Sequence, residues 1–118
     1  MGSPADILNE AFPQDILDAI ISAVGAGDTQ VVAAQTGFKI RGISGLLIAS
    51  APCTVKFQSD SGGTAVDLTG PIPLAANTGF LIHWVPRGHW ETVAGKKLNL
   101  NVVGAANVGG WLNYRLKT

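Results

Sequence analysis

From Thr29 onward, apolar and polar positions alternate in short runs. "LNLNV" sends Leu98, Leu100 and Val102 to one face and Asn99 and Asn101 to the other. "WLNYRL" sets Trp111, Asn113 and Arg115 against Leu112, Tyr114 and Leu116, and "TVKFQ" turns Val55 and Phe57 inward with Lys56 outward. A period of two is the signature of a half-buried strand. Strands are expected near Gln30 to Ala34, Phe38 to Ser50, Thr54 to Gln58, Thr64 to Thr69, Ile72 to Leu74, Gly79 to Val85, His89 to Val93, Leu98 to Val103 and Gly110 to Leu116. Between them lie turn signals such as "SDSGG", "AANTG", "VPRG", "AGKK" and "GAANVGG". Short strands at regular spacing, with no alternation of strand and helix, predict a mainly β chain: a single antiparallel β-sandwich, jelly-roll-like, of about eight strands. "ISGLLIASA" is apolar on both faces, as suits a central strand or one buried between subunits.

One stretch departs from that grammar. In "QDILDAIISAVG", Leu17, Ile20, Ile21 and Val24 recur at helical spacing, while Asp15, Asp18 and Ser22 fall on the other side. The spacing predicts a short amphipathic helix from about Gln14 to Val24, stopped by Gly25, with a shorter turn over Ala5 to Ala11 broken by Pro13. An isolated helix of about three turns is marginal in water, so its apolar face should be covered. The chain thus divides into an acidic helical arm, 1–28, and a β-sandwich domain, 29–118.

Charge sharpens this division. Residues 1–28 hold Asp6, Glu10, Asp15, Asp18 and Asp28 and no lysine or arginine; the rest of the chain holds all 8 basic side chains against Asp60, Asp67 and Glu91. Such a leader is suited to docking on its own body or on a neighbouring subunit. Apolar residues make up 47% of the 118 and charged residues 14%, a balance that suits a compact β-rich domain or one that buries further surface against partners. The zero formal net charge favours neither nucleic acid nor membrane, and no apolar run is long enough to span a bilayer. The first residues lack the basic and apolar regions of an export signal. Cys53 is the single cysteine, which excludes an internal disulfide and points to a small buried thiol.

The richest chemistry is in "HWVPRGHWE", His83 to Glu91. His89 and Glu91 share a face of one strand and His83 ends the strand before it, the nearest approach to a two-histidine, one-carboxylate metal set. The spacing is not diagnostic, and neither metal nor cofactor is expected. "GISG" lacks the final glycine of an esterase elbow, "AGKK" the rest of a phosphate loop and "GAGD" the third glycine of a dinucleotide fingerprint. No catalytic set emerges, and no enzyme is expected. Lys39, Arg41, Lys56, Lys96, Lys97, Arg115 and Lys117 lack the interleaved exposed aromatics of a nucleic-acid face. Trp84 and Trp90, flanking one turn, are candidates for a ligand surface, since small sandwiches bind glycans on exposed tryptophans; the core competes for both.

The order of phrases carries a resemblance. "KIR", "TVKFQS", "LTGPIPLAANTGF", a turn of the form W-x-P-x-G-x-x-E-T, "AGKKLNLN" and "VGGWLNY" follow one another over about residues 28 to 115. The chain resembles small β-sandwich virion structural proteins of tailed bacteriophages, such as trimeric head decoration or fibre-type proteins. The resemblance implies a virion location, a homo-oligomer, a trimer, attached to capsid or another virion protein, and no catalysis. Within that picture the sandwich is expected to assemble through a strand face including Ile43, Leu46 and Ile48, with Leu17, Ile20, Ile21 and Val24 packed on a neighbour or the shell. A carbohydrate-binding sandwich module is the alternative.

Overall fold

The computed structural model describes residues 16–60 and 64–118. Ten strands occur among them: β1 Leu17–Val24, β2 Gly27–Val32, β3 Lys39–Ala49, β4 Cys53–Asp60, β5 Val66–Asp67, β6 Ile72–Leu74, β7 Gly79–Ile82, β8 Trp90–Glu91, β9 Lys97–Val103 and β10 Asn107–Lys117. They form two antiparallel sheets. Sheet A runs β1-β10-β3-β7, with β8 also on β3; sheet B runs β2-β9-β4-β5, with β6 also on β4. The first four strands alternate between the sheets, and so do β9 and β10 at the end, so each sheet is stitched from distant parts of the chain.

The core follows the alternation. β4 contributes Val55 and Phe57, β9 contributes Leu98, Leu100 and Val102, and β10 contributes Val108 and Leu112, all essentially out of solvent. They meet Ile40, Leu47 and Ala49 of β3 and Ile21 and Ala23 of β1 in one cluster shared by both sheets. In β3 the alternation changes phase. Pairing with β10 slips between Asn113 and Tyr114, so that Tyr114 faces Gly42 while Asn113 faces Ser44, and Ile43 is the extra residue. On one side of this bulge Ile40 points inward, on the other Leu47 and Ala49 do, which is how one strand keeps both halves on the core.

The helix expected over Gln14 to Val24 is not what forms. Leu17–Val24 is a strand, paired with β10 over eight positions from Leu17↔Tyr114 to Val24↔Asn107. Gln14 itself, the turn over Ala5 to Ala11 and Pro13 lie outside the described residues. With a period of two, the segment turns Ala19, Ile21 and Ala23 to the core and Asp18, Ile20, Ser22 and Val24 outward. The two alanines weigh little on a hydrophobicity scale, and the outward Ile20 and Val24 imitate a helical stripe. A long partner strand needing an edge neighbour then outweighs local preference. The described part of the arm expected over 1–28 is accordingly built into both sheets, through β1 and the start of β2.

Candidate functional site

The outer faces of the two sheets differ in chemistry. On sheet B, several polar side chains turned away from the shared core bond to one another, and Asn99, Gln58 and Asp60 among them are buried. Asn101 donates to Asp28 (2.6 Å), Asn99 to Asp60 (2.9 Å), and Gln58 and Lys56 both donate to Asp67 (2.8 and 3.2 Å). The Gln58 hydrogen bond, with Lys56 beside it, holds the Asp67 carboxyl below its ordinary range.

Sheet A's outer face is banded instead. Register puts Ile20 of β1 opposite Trp111 of β10, Trp111 opposite Leu46 of β3, and Leu46 opposite Leu81 of β7. This is an apolar row across four strands, and Ile20, Leu81 and Trp111 are 84%, 55% and 41% exposed. The adjoining row is Ser22, Gly109, Ile48 and Gly79, flat except for the exposed Ile48. A polar row follows, Asp18, Asn113 and Ser44, with Asn113 donating to the Ser44 hydroxyl at 2.9 Å. Beyond the bulge the face turns basic: Arg115 stands opposite Arg41, and Lys117 opposite Lys39.

The candidate interface residues sort by these bands. Ile20, Leu46, Ile48 and Val24 face outward, and Leu17 is partly exposed at the end of β1. Ile21 and Ile43 are at most 2% exposed inside the subunit and cannot meet a partner, contrary to expectation. Ile21 is lost because the helical phase becomes a strand phase, Ile43 because it is the bulge residue. Trp111 and Leu81 complete the row. Trp111 shares its parity with Asn113 and Arg115, which is the signal that placed it outward; nothing local marked Leu81, whose place depends on β7 pairing with β3.

"HWVPRGHWE" folds into a braced turn against β3. Val85 donates to the Ile43 carbonyl (3.1 Å), His89 to that of Gly42 (2.8 Å) and Gly88 to that of Val85 (2.8 Å). Trp90 turns inward and stacks on Phe57, with ring centroids 4.8 Å apart. Its ring lies over Gly42, where a Cβ would fall 2.5 Å from the ring carbon Cη2. Gly88, with φ +88°, lets the turn rest on the Arg41 stem; a Cβ there would fall 2.2 Å from Arg41 Cγ. Arg41 donates from Nε and Nη2 to Glu91 Oε2 (3.3 and 3.0 Å), and Lys39 Nζ is 3.6 Å from Oε1. The Arg41 guanidinium holds the Glu91 carboxyl below its usual range. A recess of about 220 Å³ lies here, lined by Arg41, Arg87, Gly88, His89, Trp90 and Glu91.

The turn explains what became of the chemical candidates. His89 Nε2 lies 2.7 Å from the His83 carbonyl oxygen, and Glu91 is committed to Arg41. His83, His89 and Glu91 are therefore not gathered, and no group of three His, Cys, Asp or Glu that could hold a metal occurs among the described residues. Trp90 is largely a core residue, whereas Trp84 is 55% exposed. Cys53 is buried, which pushes its thiol pKa up and makes it a poor nucleophile.

No protein-family model, curated protein or solved structure matches the chain.

Proposed function

We propose that this protein is a non-enzymatic building block of a bacteriophage virion, a decoration or head-fibre-type subunit that acts by assembling with copies of itself and with the particle surface. The observation that carries this reading is the contrast between the outer faces: on sheet B Asn101 bonds to Asp28 and Lys56 to Asp67, while sheet A presents the row Ile20, Trp111, Leu46 and Leu81. A contiguous apolar row on an otherwise polar surface marks an interaction site. The strand orders β1-β10-β3-β7 and β2-β9-β4-β5 fit a jelly-roll winding of the sandwich, and the phrase order from "KIR" to "VGGWLNY" resembles tailed-phage structural proteins.

Size favours more than one contact per subunit. β1, β10 and β3, about 4.8 Å apart and paired over about eight residues at ~3.3 Å each, with the four-residue β7 beside them, offer roughly 450 Å² in projection. A standard interface takes about 800 Å² from each partner. A closed ring such as a trimer, seated on a shell, adds the missing area by giving each subunit several neighbours.

Light scattering tests this reading. The wild-type chain is expected to give an oligomer mass, and Ile20→Lys with Leu81→Lys to give a monomer with unchanged far-ultraviolet circular dichroism. A wild-type monomer at every concentration up to the millimolar range would refute it. Trp84, exposed beside the Arg87 turn, favours glycan binding as the second reading; its test is a shift of tryptophan fluorescence with sugar that disappears in Trp84→Phe.

A further inference from the structure

An edge strand presents a row of unpaired backbone donors and acceptors, and proteins blunt such edges by keeping them short, bulged or charged. Most edges of this sandwich follow that rule. On sheet A, β7 has 4 residues and β8 has 2; on sheet B, β5 has 2, β6 has 3, and β2 slips register between Gln30 and Val32. β1 is the exception. It pairs with β10 over eight residues without a register slip, holds no proline or lysine, and has no strand on its other side among the described residues. The two most exposed large apolar side chains of the described residues, Ile20 at 84% and Val24 at 80%, both lie on it.

Given the self-assembly proposed above, we infer that β1 pairs antiparallel with β1 of a second copy about a twofold axis at Ile20, joining the two A sheets into one. The occupant that fits β1 is another β1, because no other edge among the described residues is as long and as regular. Twofold antiparallel pairing keeps outward side chains opposite outward ones, so only the position of the axis is left to decide. An axis at Asp18 sets two carboxylates against each other, and one at Ala19 sets Asp18 against the partner's Ile20. At Ile21, Asp18 meets the partner's Val24 and Ile20 meets the partner's Ser22; at Ser22, only 20–24 are left to pair. The axis at Ile20 avoids each of these mismatches. It pairs 17–23, sets Ile20 against the partner's Ile20 and brings Asp18 within hydrogen-bonding reach of the partner's Ser22.

Area favours the same pairing. The row Leu81, Leu46, Trp111 and Ile20 meets its copy at Ile20 and runs on across both sheets, with the two outward faces on the same side. Together the two faces present roughly 900 Å², above the ~800 Å² that a standard interface takes from each partner, whereas one face falls short of it. The edge contact is isologous, so the number of subunits is even: a dimer, or a hexamer where three such pairs close a ring.

Disulfide trapping of the full chain tests the edge pairing. Directly opposed residues on antiparallel strands have Cα atoms about 4.5–5.5 Å apart, inside the range a disulfide spans, whereas the two copies of position 18, or of position 22, would lie about 13 Å apart. Under mild oxidation with diamide, Ile20→Cys is expected to form a linked dimer about tenfold or more faster than Asp18→Cys or Ser22→Cys alone. A mixture of those last two chains, which keeps Ile20, is expected to link position 18 to position 22 at a rate close to that of Ile20→Cys. Cys53 is buried and should be absent from the links by mass spectrometry. Light scattering of the wild-type chain is expected to give an even number of subunits. A trimer, or an oligomer in which neither Ile20→Cys nor the mixture links faster than the single 18 and 22 variants, would overturn the edge pairing and leave self-assembly standing. Fast self-linking at position 18 or 22 would overturn the axis at Ile20. A wild-type monomer at every concentration up to the millimolar range would sink self-assembly and the edge pairing together.

Discussion

Replacing Gly42 by alanine adds a single methyl group to β3, and its cost follows from one contact. The new Cβ would lie 2.5, 2.6 and 2.9 Å from three carbons of the Trp90 ring, closer than any such contact can be. The ring cannot simply retreat, because it is stacked at 4.8 Å on Phe57, which has no exposure at all. Overpacking of this kind costs about 1–3 kcal/mol. With a urea m-value of about 1–3 kcal/mol/M, the denaturation midpoint should fall by roughly 1 M. The assay is urea unfolding followed by far-ultraviolet circular dichroism in a double-mutant cycle with Trp90→Leu. Trp90→Leu alone should be destabilising through lost core contact, by about 2–4 kcal/mol. On that background Gly42→Ala should cost close to nothing, since the ring it strikes is gone, and the coupling energy should recover the full penalty. Gly70→Ala, whose Cβ meets nothing within 4 Å, is the control and should stay within about 0.5 kcal/mol of wild type. If Gly42→Ala costs as much in the Trp90→Leu background as in the wild type, the ring contact is not the cause and the account of the braced turn fails.

Three further outcomes follow from other groups. Because Arg41 lowers the pKa of Glu91 in the folded state, the Arg41–Glu91 contribution is complete above the unfolded carboxyl value near 4.5 and is lost as pH falls through the lower folded value. Glu91→Gln should therefore be less stable than wild type at pH 7 and flatten the acid limb below about pH 4.5, measured by thermal melts across pH. Cys53, buried and with its thiol pKa raised, should react with a disulfide reagent in the native protein orders of magnitude more slowly than in urea; equal rates would show that the site opens freely. Asn99, 2% exposed, donates to Asp60, so Asn99→Asp sets two carboxylates against each other and should cost about 3 kcal/mol at pH 7. The new pair holds a proton more tightly in the folded state than in the unfolded one, so that loss should shrink as pH falls toward 4.

Much of this protein was legible in residue order, and the exceptions have physical causes. Alternation within "TVKFQ", "LNLNV" and "WLNYRL" set which side chains of β4, β9 and β10 face the core, because side chains on a strand alternate whatever the strand pairs with. Glycine, proline and asparagine at the turns bounded β3, β6 and β9 closely. The double-sided "ISGLLIASA" announced a strand apolar on both faces, and Leu46 and Ile48 do face outward. Tertiary structure alone decided three things. It made Leu17–Val24 a strand, since the energy that overrides the helical spacing comes from eight pairings with β10, about ninety residues away. It placed the bulge at Ile43, which shifts half of β3 by one residue and buries a side chain expected at an interface. It also aligned Ile20, Trp111, Leu46 and Leu81 in one row and set Arg115 opposite Arg41 and Lys117 opposite Lys39 in two more. Cross-strand neighbours are set by register between distant segments, and no local window of the chain contains that information.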